Sequence, residues 1–272
     1  MFSLNCKGKL LVMDKPLVMG ILNITPDSFY EGSRQTNFSV LAQATKMIEE
    51  GADIIDIGGQ STRPGSERIS VKEELQRVLP AIEIILKNFP DTIISVDTYQ
   101  SAVAKETVNA GASIINDISA GNMDSDMIAT VAKLQVPYIC MHMKGTPQNM
   151  QQQATYENVT REVLDFFIQK TDECKRAGIN DVIIDLGFGF GKTISHNFTL
   201  LKELSAFKML DKPIMAGLSR KSTIYKTLGV TAEEALNGTT VLNTLALKNG
   251  ANILRVHDVK EAKEVVTLLN LL

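Results

Sequence analysis

Several residues whose side chains suit ligand recognition follow short apolar runs of the chain. Asp97, Asn116 and Asp185 carry carboxylate and amide groups, which can pair with the N–H donors and ring nitrogens of a flat heterocycle. A second set is cationic and consists of Arg63, Arg220, Lys221, Arg255 and His257. Because the protein as a whole is slightly acidic, this set indicates an anionic group such as a diphosphate or a carboxylate.

A divalent cation fits the same inventory. Asn23, followed by Asp27 and Glu31, can supply hard oxygen ligands to Mg²⁺, which usually binds through few protein groups together with substrate phosphates. Each residue alone also has an ordinary structural explanation: Arg63 could form a surface salt bridge and Asp97 could cap the next helix. Their regular placement along the chain argues for one shared site.

Eight buried strands are predicted to position these residues. They are apolar runs at 17–22, 54–57, 92–96, 113–115, 137–141, 182–184, 213–216 and 252–254. Helical patterns separate them, and alternation around Gly8 predicts an N-terminal β-hairpin within residues 1–16. The pattern predicts an α/β fold, namely a single (β/α)8 TIM barrel over residues 1–272 with that hairpin in front. A doubly wound open sheet is the alternative.

An internal repeat supports this count of strands. A glycine followed by a buried strand recurs as GADII at Gly51, GASII at Gly111, GINDVII at Gly178 and GANIL at Gly250. The separations of 60, 67 and 72 residues each correspond to two strand-plus-helix units of roughly 30 residues. Each glycine is predicted to end the preceding helix in a left-handed conformation.

Polar residues occupy the C-terminal end of nearly every predicted strand, and in a barrel those ends meet on one face. They are Asn23, Thr62, Arg63, Asp97, Asn116, His142, Asp185, Lys221, Arg255 and His257. One such residue is usually a helix cap, but eight strand ends in phase predict a common site.

Helix boundaries are predicted from capping patterns. Ser39 is predicted to begin the first barrel helix, and a later helix is predicted over 198–207. Two capping boxes are predicted near the C-terminus, formed by Thr231 with Glu234 and by Asp258 with Glu261.

Composition and charge argue against several classes of protein. The 272 residues are 44% hydrophobic, which is enough for a full core. The net charge of −3 argues against nucleic-acid or membrane-surface binding, and no run of 18 apolar residues or signal-peptide pattern is present, so no membrane span is expected. Cys6, Cys140 and Cys174 are far apart and form no CxxC pair. Reduced, buried thiols in a cytoplasmic protein are therefore expected.

A glycine-rich segment and the histidines resemble sites of other enzyme classes. GFGFGKT at 187–193 looks like a phosphate-binding loop, but the Walker spacing requires glycine where Leu186 stands, so Phe190 is interpreted as a stacking ring. The three histidines lack the spacing of a helical metal pair, and His196 lies at a predicted helix start, which argues against a zinc enzyme.

Eight motifs in order along the chain carry a resemblance to a known family. They are NITPDSF at 23–29, DIGGQSTRPGS at 56–66, SVDT at 95–98, NDIS at 116–119, MHMKGTP at 141–147, DLGFGFGK at 185–192, SRKS at 219–222 and RVHDV at 255–259. Over nearly its whole length the chain resembles the dihydropteroate synthases of the folate pathway. The resemblance implies a homodimeric transferase, the target of sulfonamides, that uses Mg²⁺ to join (7,8-dihydropterin-6-yl)methyl diphosphate to 4-aminobenzoate.

The resemblance also implies a role for each matching residue. The pterin would be held by Asp97, Asn116, Asp185 and Lys221, in a pocket lined by Ile118, Met141 and Gly217. The diphosphate would bind Arg255 and His257, with Asn23 as the Mg²⁺ ligand. Aminobenzoate would be surrounded by Thr62, Arg63, Pro64, Phe190, Lys221 and Ser222, and the first loop, with Asp27, Phe29 and Glu31, would bring Phe29 over it.

A mechanism follows from these implied roles. Mg²⁺, Arg255 and His257 would stabilise the departing diphosphate, while Asp97 and Asp185 would stabilise positive charge on the pterin methylene. C–O cleavage would then precede attack by the arylamine, and no side-chain nucleophile would be required.

Three positions depart from the family pattern, which usually has Glu at Gln60, Pro at Leu186 and Asp at Glu31. Two rival functions remain open at this point. A pterin-binding methyltransferase domain shares the barrel, but the STRPG and SRKS motifs argue against it. A pterin-binding protein without catalysis would be expected to have lost Asn23, Lys221 or Arg255, all of which are present.

Overall fold

The computed structural model describes residues 1–24, 33–61 and 65–272, and of residues 33–38 it describes the backbone only. The predicted site residues that lie outside the described residues are Asp27, Phe29, Glu31, Thr62, Arg63 and Pro64. Ten strands are present in the described chain: β1 Phe2–Cys6, β2 Lys9–Met13, β3 Leu17–Asn23, β4 Ile54–Gly58, β5 Ile93–Asp97, β6 Ile114–Asp117, β7 Tyr138–Met141, β8 Val182–Asp185, β9 Ile214–Ala216 and β10 Ile253–Val256.

Helices follow the barrel strands. They are α1 Ser33–Glu49, α2 Val71–Asn88, α3 Ser101–Asn109, α4 Met127–Leu134, α5 Val159–Ala177, α6 Ile194–Lys202, α7 Ser222–Leu228, α8 Leu236–Asn249 and α9 Val259–Leu269, with a 3₁₀ helix at Leu204–Leu210. Across the described ranges, none of these helices is both long and apolar enough to cross a membrane.

Strands β3 to β10 form a closed barrel in which every neighbouring pair is parallel. The order runs from β3 through β9, and β10 pairs with both β9 and β3. The first two strands form a separate antiparallel hairpin with Phe2 opposite Met13. The structure therefore confirms the predicted barrel and hairpin and excludes the open sheet.

Alternation along the strands separates two apolar cores. Residues such as Ile55, Ile57 and Val96 point outward and pack against the helices. The inward positions nearest the N-terminal ends form a second cluster, which comprises Leu17, Met19, Ile54, Ile114, Ile139, Ile183, Met215 and Ile253, with Leu4, Cys6 and Met13 of the hairpin. The hairpin therefore covers the N-terminal end of the barrel with an apolar layer. Each fully buried aliphatic side chain stabilises the fold by about 1.5–3 kcal/mol.

The repeated glycines end helices as predicted. Gly51, Gly111, Gly178 and Gly250 have φ values of 93°, 117°, 91° and 112°. At each position the following residue donates its N–H to a carbonyl five residues back, as Ala251 does to Ala246 at 2.9 Å. This pattern satisfies helix carbonyls and turns the chain directly into the next strand.

Three predicted helix starts are wrong. Helix α1 begins at Ser33, because after Gly32 the sequence has no helix breaker, and Ser39 lies inside it. Helix α6 begins at Ile194, since the Thr193 hydroxyl accepts the His196 N–H at 3.1 Å, and it ends at Lys202 before the 3₁₀ turn. The carboxylate of Glu234 does accept the Thr231 N–H, but helix α8 starts only at Leu236.

The last predicted capping box is half correct. Asp258 precedes α9 as its N-cap residue, but its side chain makes no cap bond. Both of its carboxylate oxygens instead accept hydrogen bonds from Arg220, at 2.8 and 2.9 Å. The carboxylate of Asp258 therefore binds Arg220, which is 38 residues away in sequence, and does not cap α9 as the local spacing predicted.

Two cysteines that are distant in sequence lie side by side. The Sγ atoms of Cys140 on β7 and Cys174 on α5 are 3.8 Å apart, and both residues are buried as free thiols, as is Cys6. The expectation that the three cysteines are buried is confirmed.

Candidate active site

The period-two geometry of strands explains how the polar residues meet. In several strands, the residue two positions after an apolar inward residue is polar and also faces the barrel interior. These pairs are Ile54 and Asp56, Ile93 and Ser95, Ile114 and Asn116, Ile183 and Asp185, and Ile253 and Arg255. The C-terminal half of the barrel interior is therefore polar, above an apolar N-terminal half.

Arg255 connects three strands in this polar layer. Its Nε donates to Asp56 Oδ2 at 2.6 Å, and its Nη2 donates to Asp97 Oδ2 at 2.7 Å. Asn116 Nδ2 also donates to Asp56 Oδ2, at 3.1 Å. Within the described part of the chain, Nη1 of Arg255 has no hydrogen-bond partner, so part of the guanidinium is available to an anion.

Asp56 is the site residue that the sequence interpretation missed. It is fully buried, and it orients both Arg255 and Asn116. Its Oδ1 is buried without a partner among the described residues. The available signal was a carboxylate inside the otherwise apolar strand IIDI, since charged side chains are rarely buried unless they are paired.

Burial and the cation beside it act in opposite directions on the pKa of Asp97. Burial raises the pKa of Asp97 to about 7, although the adjacent Arg255 opposes this shift; the nearby Asp56 carboxylate adds to it. A Cβ at Gly58 would lie 3.4 Å from Asn23 Oδ1 and 3.9 Å from Asp97 Oδ2, so both oxygens flank this glycine. Asn23 thus places a hard oxygen beside a carboxylate at the barrel mouth.

A carboxylate and an amine, those of Asp185 and Lys221, lie beside Gly217. Burial raises the pKa of Asp185 and lowers the pKa of Lys221 to about 8, and in each case the other group opposes the shift. A Cβ at Gly217 would be 3.6 Å from Lys221 Nζ and 4.0 Å from Asp185 Oδ2. A side chain at position 217 would therefore come close to both groups.

An apolar wall adjoins the polar layer. Ile118 and Met141 belong to one buried cluster, whose other members are Tyr99, Met143 and Met150. Phe190 packs against this cluster, and Lys221 Nζ lies 4.9 Å from the centroid of its ring. Carboxylates, an amide and apolar surface thus border one space, which suits a flat heterocycle with polar edges.

Two further predicted residues lie at the rim. His257 Nδ1 is 3.1 Å from Ser219 Oγ, which also accepts the His257 backbone N–H. Although part of the ring faces solvent, burial and then the cationic Arg255 lower the pKa of His257 to about 4, so its imidazole is neutral at pH 7. Ser222 is half-buried as the first residue of α7, next to Lys221.

Two polar residues singled out in the sequence do not join the site. Arg220 forms its two bonds to Asp258 and a third to the Ala232 carbonyl at 3.0 Å, so its guanidinium is held by the protein itself. His142 follows the inward Met141 and therefore faces outward, where its ring contacts Phe166 edge-on at 4.9 Å. The prediction for both was wrong because a strand-end position does not determine side-chain direction.

Gln60 binds the backbone on both sides of positions 62–64, which are three of the predicted aminobenzoate residues. Its Nε2 donates to the carbonyls of Ser61 at 2.9 Å and Glu67 at 2.8 Å, while its Oε1 accepts the Ile69 N–H at 2.8 Å. A carboxylate could not donate to the two carbonyls. The departure at this position therefore has a structural role in this chain.

Gln60→Glu is expected to lower the free energy of unfolding by about 1–3 kcal/mol at neutral pH, because two carbonyl bonds are lost and a charge faces oxygen atoms. Protonation of the new carboxyl restores a donor, so the deficit should shrink as the pH falls. Urea denaturation at acidic and neutral pH would measure this, with the exposed Gln43→Glu as control. Equal losses in both variants would contradict the assignment.

Comparisons with known proteins give a consistent result. The family model described as "Pterin binding enzyme" matches residues 19–257. The chain is 43% identical over 267 residues to the dihydropteroate synthase of Haemophilus influenzae, covering 97% of this chain and 96% of that protein. Dihydropteroate synthase of Xanthomonas albilineans with 4-aminobenzoic acid superposes with a TM-score of 0.92 at 39% identity, covering 99% and 97% of the two chains. The Yersinia pestis enzyme in a sulfonamide drug complex gives 0.92 at 39%, covering 99% and 98%.

Proposed function

The chain belongs to the dihydropteroate synthase family of pterin-binding enzymes, and we propose how the described barrel mouth performs the reaction of that family. The protein is a transferase of folate biosynthesis, which condenses (7,8-dihydropterin-6-yl)methyl diphosphate with 4-aminobenzoate to give 7,8-dihydropteroate and diphosphate. The observation that carries the proposal is the polar layer in which Arg255 bridges Asp56 and Asp97 and lies, with Asp185 and Lys221, beside Gly217. We take residues 1–272 as one pterin-binding domain.

In this proposal the polar layer binds the pterin. Asp97, Asn116 and Asp185 accept or donate hydrogen bonds at the edges of the ring, and Lys221 contributes an ammonium beside Gly217. Ile118 and Met141 contact the ring face. Support comes from the burial of all three polar groups, which are at most 7% exposed. Such groups lose too much on desolvation unless a ligand or the protein satisfies them.

The leaving group is assigned to Arg255 and His257 at the rim. Arg255, whose Nη1 has no partner among the described residues, and the neutral His257 would bind the diphosphate and stabilise charge as the C–O bond breaks. The Asn23 amide oxygen fits a Mg²⁺ ligand, and the described residues hold no group of three His, Cys, Asp or Glu that could bind a metal. An ion held mostly by the substrate matches that donor set. When bound, Mg²⁺ would neutralise part of the diphosphate charge.

We propose that C–O cleavage precedes attack by the arylamine. The bonding electrons leave with the diphosphate, and the pterin methylene carries positive charge that Asp97 and Asp185 stabilise. The nitrogen of 4-aminobenzoate then forms the C–N bond and releases a proton. Phe190, Lys221 and Ser222 are the described residues assigned to aminobenzoate. The corresponding assignments of Thr62, Arg63, Pro64, Asp27, Phe29 and Glu31 concern residues outside the described ranges.

The pKa shifts predict a bell-shaped dependence of kcat/KM for the pterin substrate on pH. Below about 7 Asp97 becomes neutral and loses its charged acceptor, and above about 8 Lys221 loses its proton. The maximum is therefore expected between these values. Lys221→Arg should abolish the basic limb, because a guanidinium stays protonated. Thermal melting at each pH controls for unfolding, and a flat profile in the unaltered chain would contradict both assignments.

Sulfonamide binding and dimerisation are also proposed. The complex of the Yersinia pestis relative supports a sulfonamide site in this chain.

A homodimer is supported by exposed apolar side chains along α8, since Val241 is 50% and Leu245 42% exposed. Leu228 of α7 adds to this surface, because it lies beside Gly238 of α8. Sedimentation of Leu245→Glu tests this surface, because a dimer that uses it should dissociate. A cytoplasmic location is proposed from the free thiols.

The decisive experiment measures diphosphate release and dihydropteroate formation with the pterin diphosphate and Mg²⁺, with and without 4-aminobenzoate. Release coupled to dihydropteroate formation is the expected result. Pterin binding without dihydropteroate formation would favour the non-catalytic binding protein. Methyl transfer from methyl-tetrahydrofolate to a corrinoid partner would favour the methyltransferase.

A further inference from the structure

The loop of residues 187–192, GFGFGK, is held by its carbonyl oxygens. Five consecutive carbonyls each accept a hydrogen bond from a side chain: Gly187 from Lys192 at 3.0 Å, Phe188 from Lys221 at 2.6 Å, Gly189 from Gln151 at 3.1 Å, Phe190 from Lys192 at 3.1 Å and Gly191 from Tyr156 at 2.9 Å. The N–H groups of Gly187 and Gly189 bond to Asp185 and Asn197. A phosphate-binding loop would present free N–H groups instead, so the sequence interpretation against that motif agrees with this geometry.

The loop also approaches its neighbour too closely for a side chain. A Cβ at Gly187 would lie 2.0 Å from the His142 carbonyl, and one at Gly191 would lie 2.7 Å from the Lys144 carbonyl. Both glycines have positive φ, 66° and 61°. The close contact therefore requires glycine, and it brings the carbonyl oxygens of two loops together away from solvent.

Lys192 supplies the donors that this arrangement needs. It is only 3% exposed, and besides the two loop carbonyls its Nζ lies 2.9 Å from His142 Nδ1 and 3.2 Å from the His142 carbonyl. An ammonium has three donors and no acceptor, which suits a group of oxygen atoms. Without it, the carbonyls of His142 and Phe190 would lack a partner among the described residues, each at a cost of about 1–3 kcal/mol, whereas the Gly187 carbonyl would keep the Phe190 N–H.

Lys192 binds the loop on both sides of the Phe188 carbonyl, which accepts a hydrogen bond from Lys221. Its two loop partners are the carbonyls of Gly187 and Phe190, which come before and after Phe188 in the sequence. We propose that Lys192 is a positioning residue: through the carbonyl bonds of loop 187–192 it fixes the Phe190 ring and the Lys221 ammonium relative to each other. This inference rests on the proposed function, because Phe190 and Lys221 are taken there as the aminobenzoate contacts.

Steady-state kinetics of Lys192→Met test the proposal. Because misplacement of about 1 Å is enough to cost up to about a hundredfold, we expect the KM for 4-aminobenzoate to rise at least about tenfold. The KM for the pterin diphosphate should change by less than about threefold, since its other ligands keep their own supports. Lys202→Met removes an exposed lysine of the following helix and should leave both constants unchanged.

The outcomes separate positioning from stability. A purely structural role would lower the melting temperature and the fraction of active protein but leave both KM values unaltered, and that result would overturn the proposal. If Lys192→Met does not fold, Tyr156→Phe provides the test. It removes the hydrogen bond to the Gly191 carbonyl of the same loop and does not change the charge of the protein. An aminobenzoate KM raised about threefold or more would support the proposal, and an unchanged one would overturn it. Absence of dihydropteroate formation by the unaltered chain would instead refute the proposed function.

Discussion

Arg255→Met is expected to reduce kcat/KM by about a thousandfold and to lower the free energy of unfolding by about 3–5 kcal/mol. Both effects arise from the same atoms. The guanidinium pairs with Asp56 at 2.6 Å and with Asp97 at 2.7 Å, and these carboxylates are nearly or fully removed from solvent. Methionine fills a similar volume but leaves two buried carboxylates close together without a cation. The diphosphate would also lose its strongest electrostatic partner.

Urea denaturation and steady-state kinetics on the same preparation measure the two effects of Arg255→Met. The loss of stability should shrink as the pH falls, because protonation removes the uncompensated charge of Asp97, whose pKa burial already raises. Arg176→Met, an exposed arginine at the end of α5, provides the matched control and should change neither quantity appreciably. An Arg255→Met protein with the stability and activity of the unaltered chain would refute the bridging role.

Asp185→Asn is expected to separate activity from stability. Loss of a charged hydrogen bond should weaken pterin binding by about tenfold to a hundredfold. Turnover should fall further, by about a hundredfold or more, because the carboxylate no longer stabilises the developing cation. The fold should be as stable as before or more stable at neutral pH. Burial raises the pKa of Asp185, so the folded protein disfavours the charge that asparagine removes, while Oδ1 can still accept the Gly187 N–H.

Titration of the pterin by calorimetry, turnover and thermal melting together test the Asp185→Asn prediction. Asp91→Asn, at a fully exposed position near the opposite end of the barrel, is the control. A variant that binds pterin and turns over normally would remove Asp185 from the site. A variant that loses activity only because it unfolds would show that the carboxylate is structural.

The sequence predicts those parts of the site that depend on local periodicity. Because inward and outward positions alternate, an apolar inward residue such as Ile183 identifies Asp185 as inward two positions later. The same rule, applied from Met141, would have placed His142 outside. The glycine repeat is equally local, because each helix ends on bonds to carbonyls within five residues.

The rest depends on partners that are distant in sequence. Arg220 looks like a free cation until Asp258 is seen beside it, and Asp56 looks like part of a strand until Arg255 reaches it. Spacing likewise gives no reason to expect that Lys192 binds carbonyls of its own loop and of the His142 turn. The partners of long side chains depend on the folded structure. The sequence therefore identifies which polar residues are present but not which of them bind each other.

The bridge made by Arg255 also affects how the chain can fold. Asp56 and Asp97 lie on adjacent strands that are synthesised early, whereas Arg255 lies on the last strand, 199 positions after Asp56. Until β10 docks between β9 and β3, the growing sheet carries two acidic groups without their cation. Closure of the barrel and pairing of the two carboxylates with Arg255 therefore depend on the same strand, β10. A chain in which β10 has not yet docked therefore leaves the edges of β9 and β3 unpaired and keeps Asp56 and Asp97 without their cation.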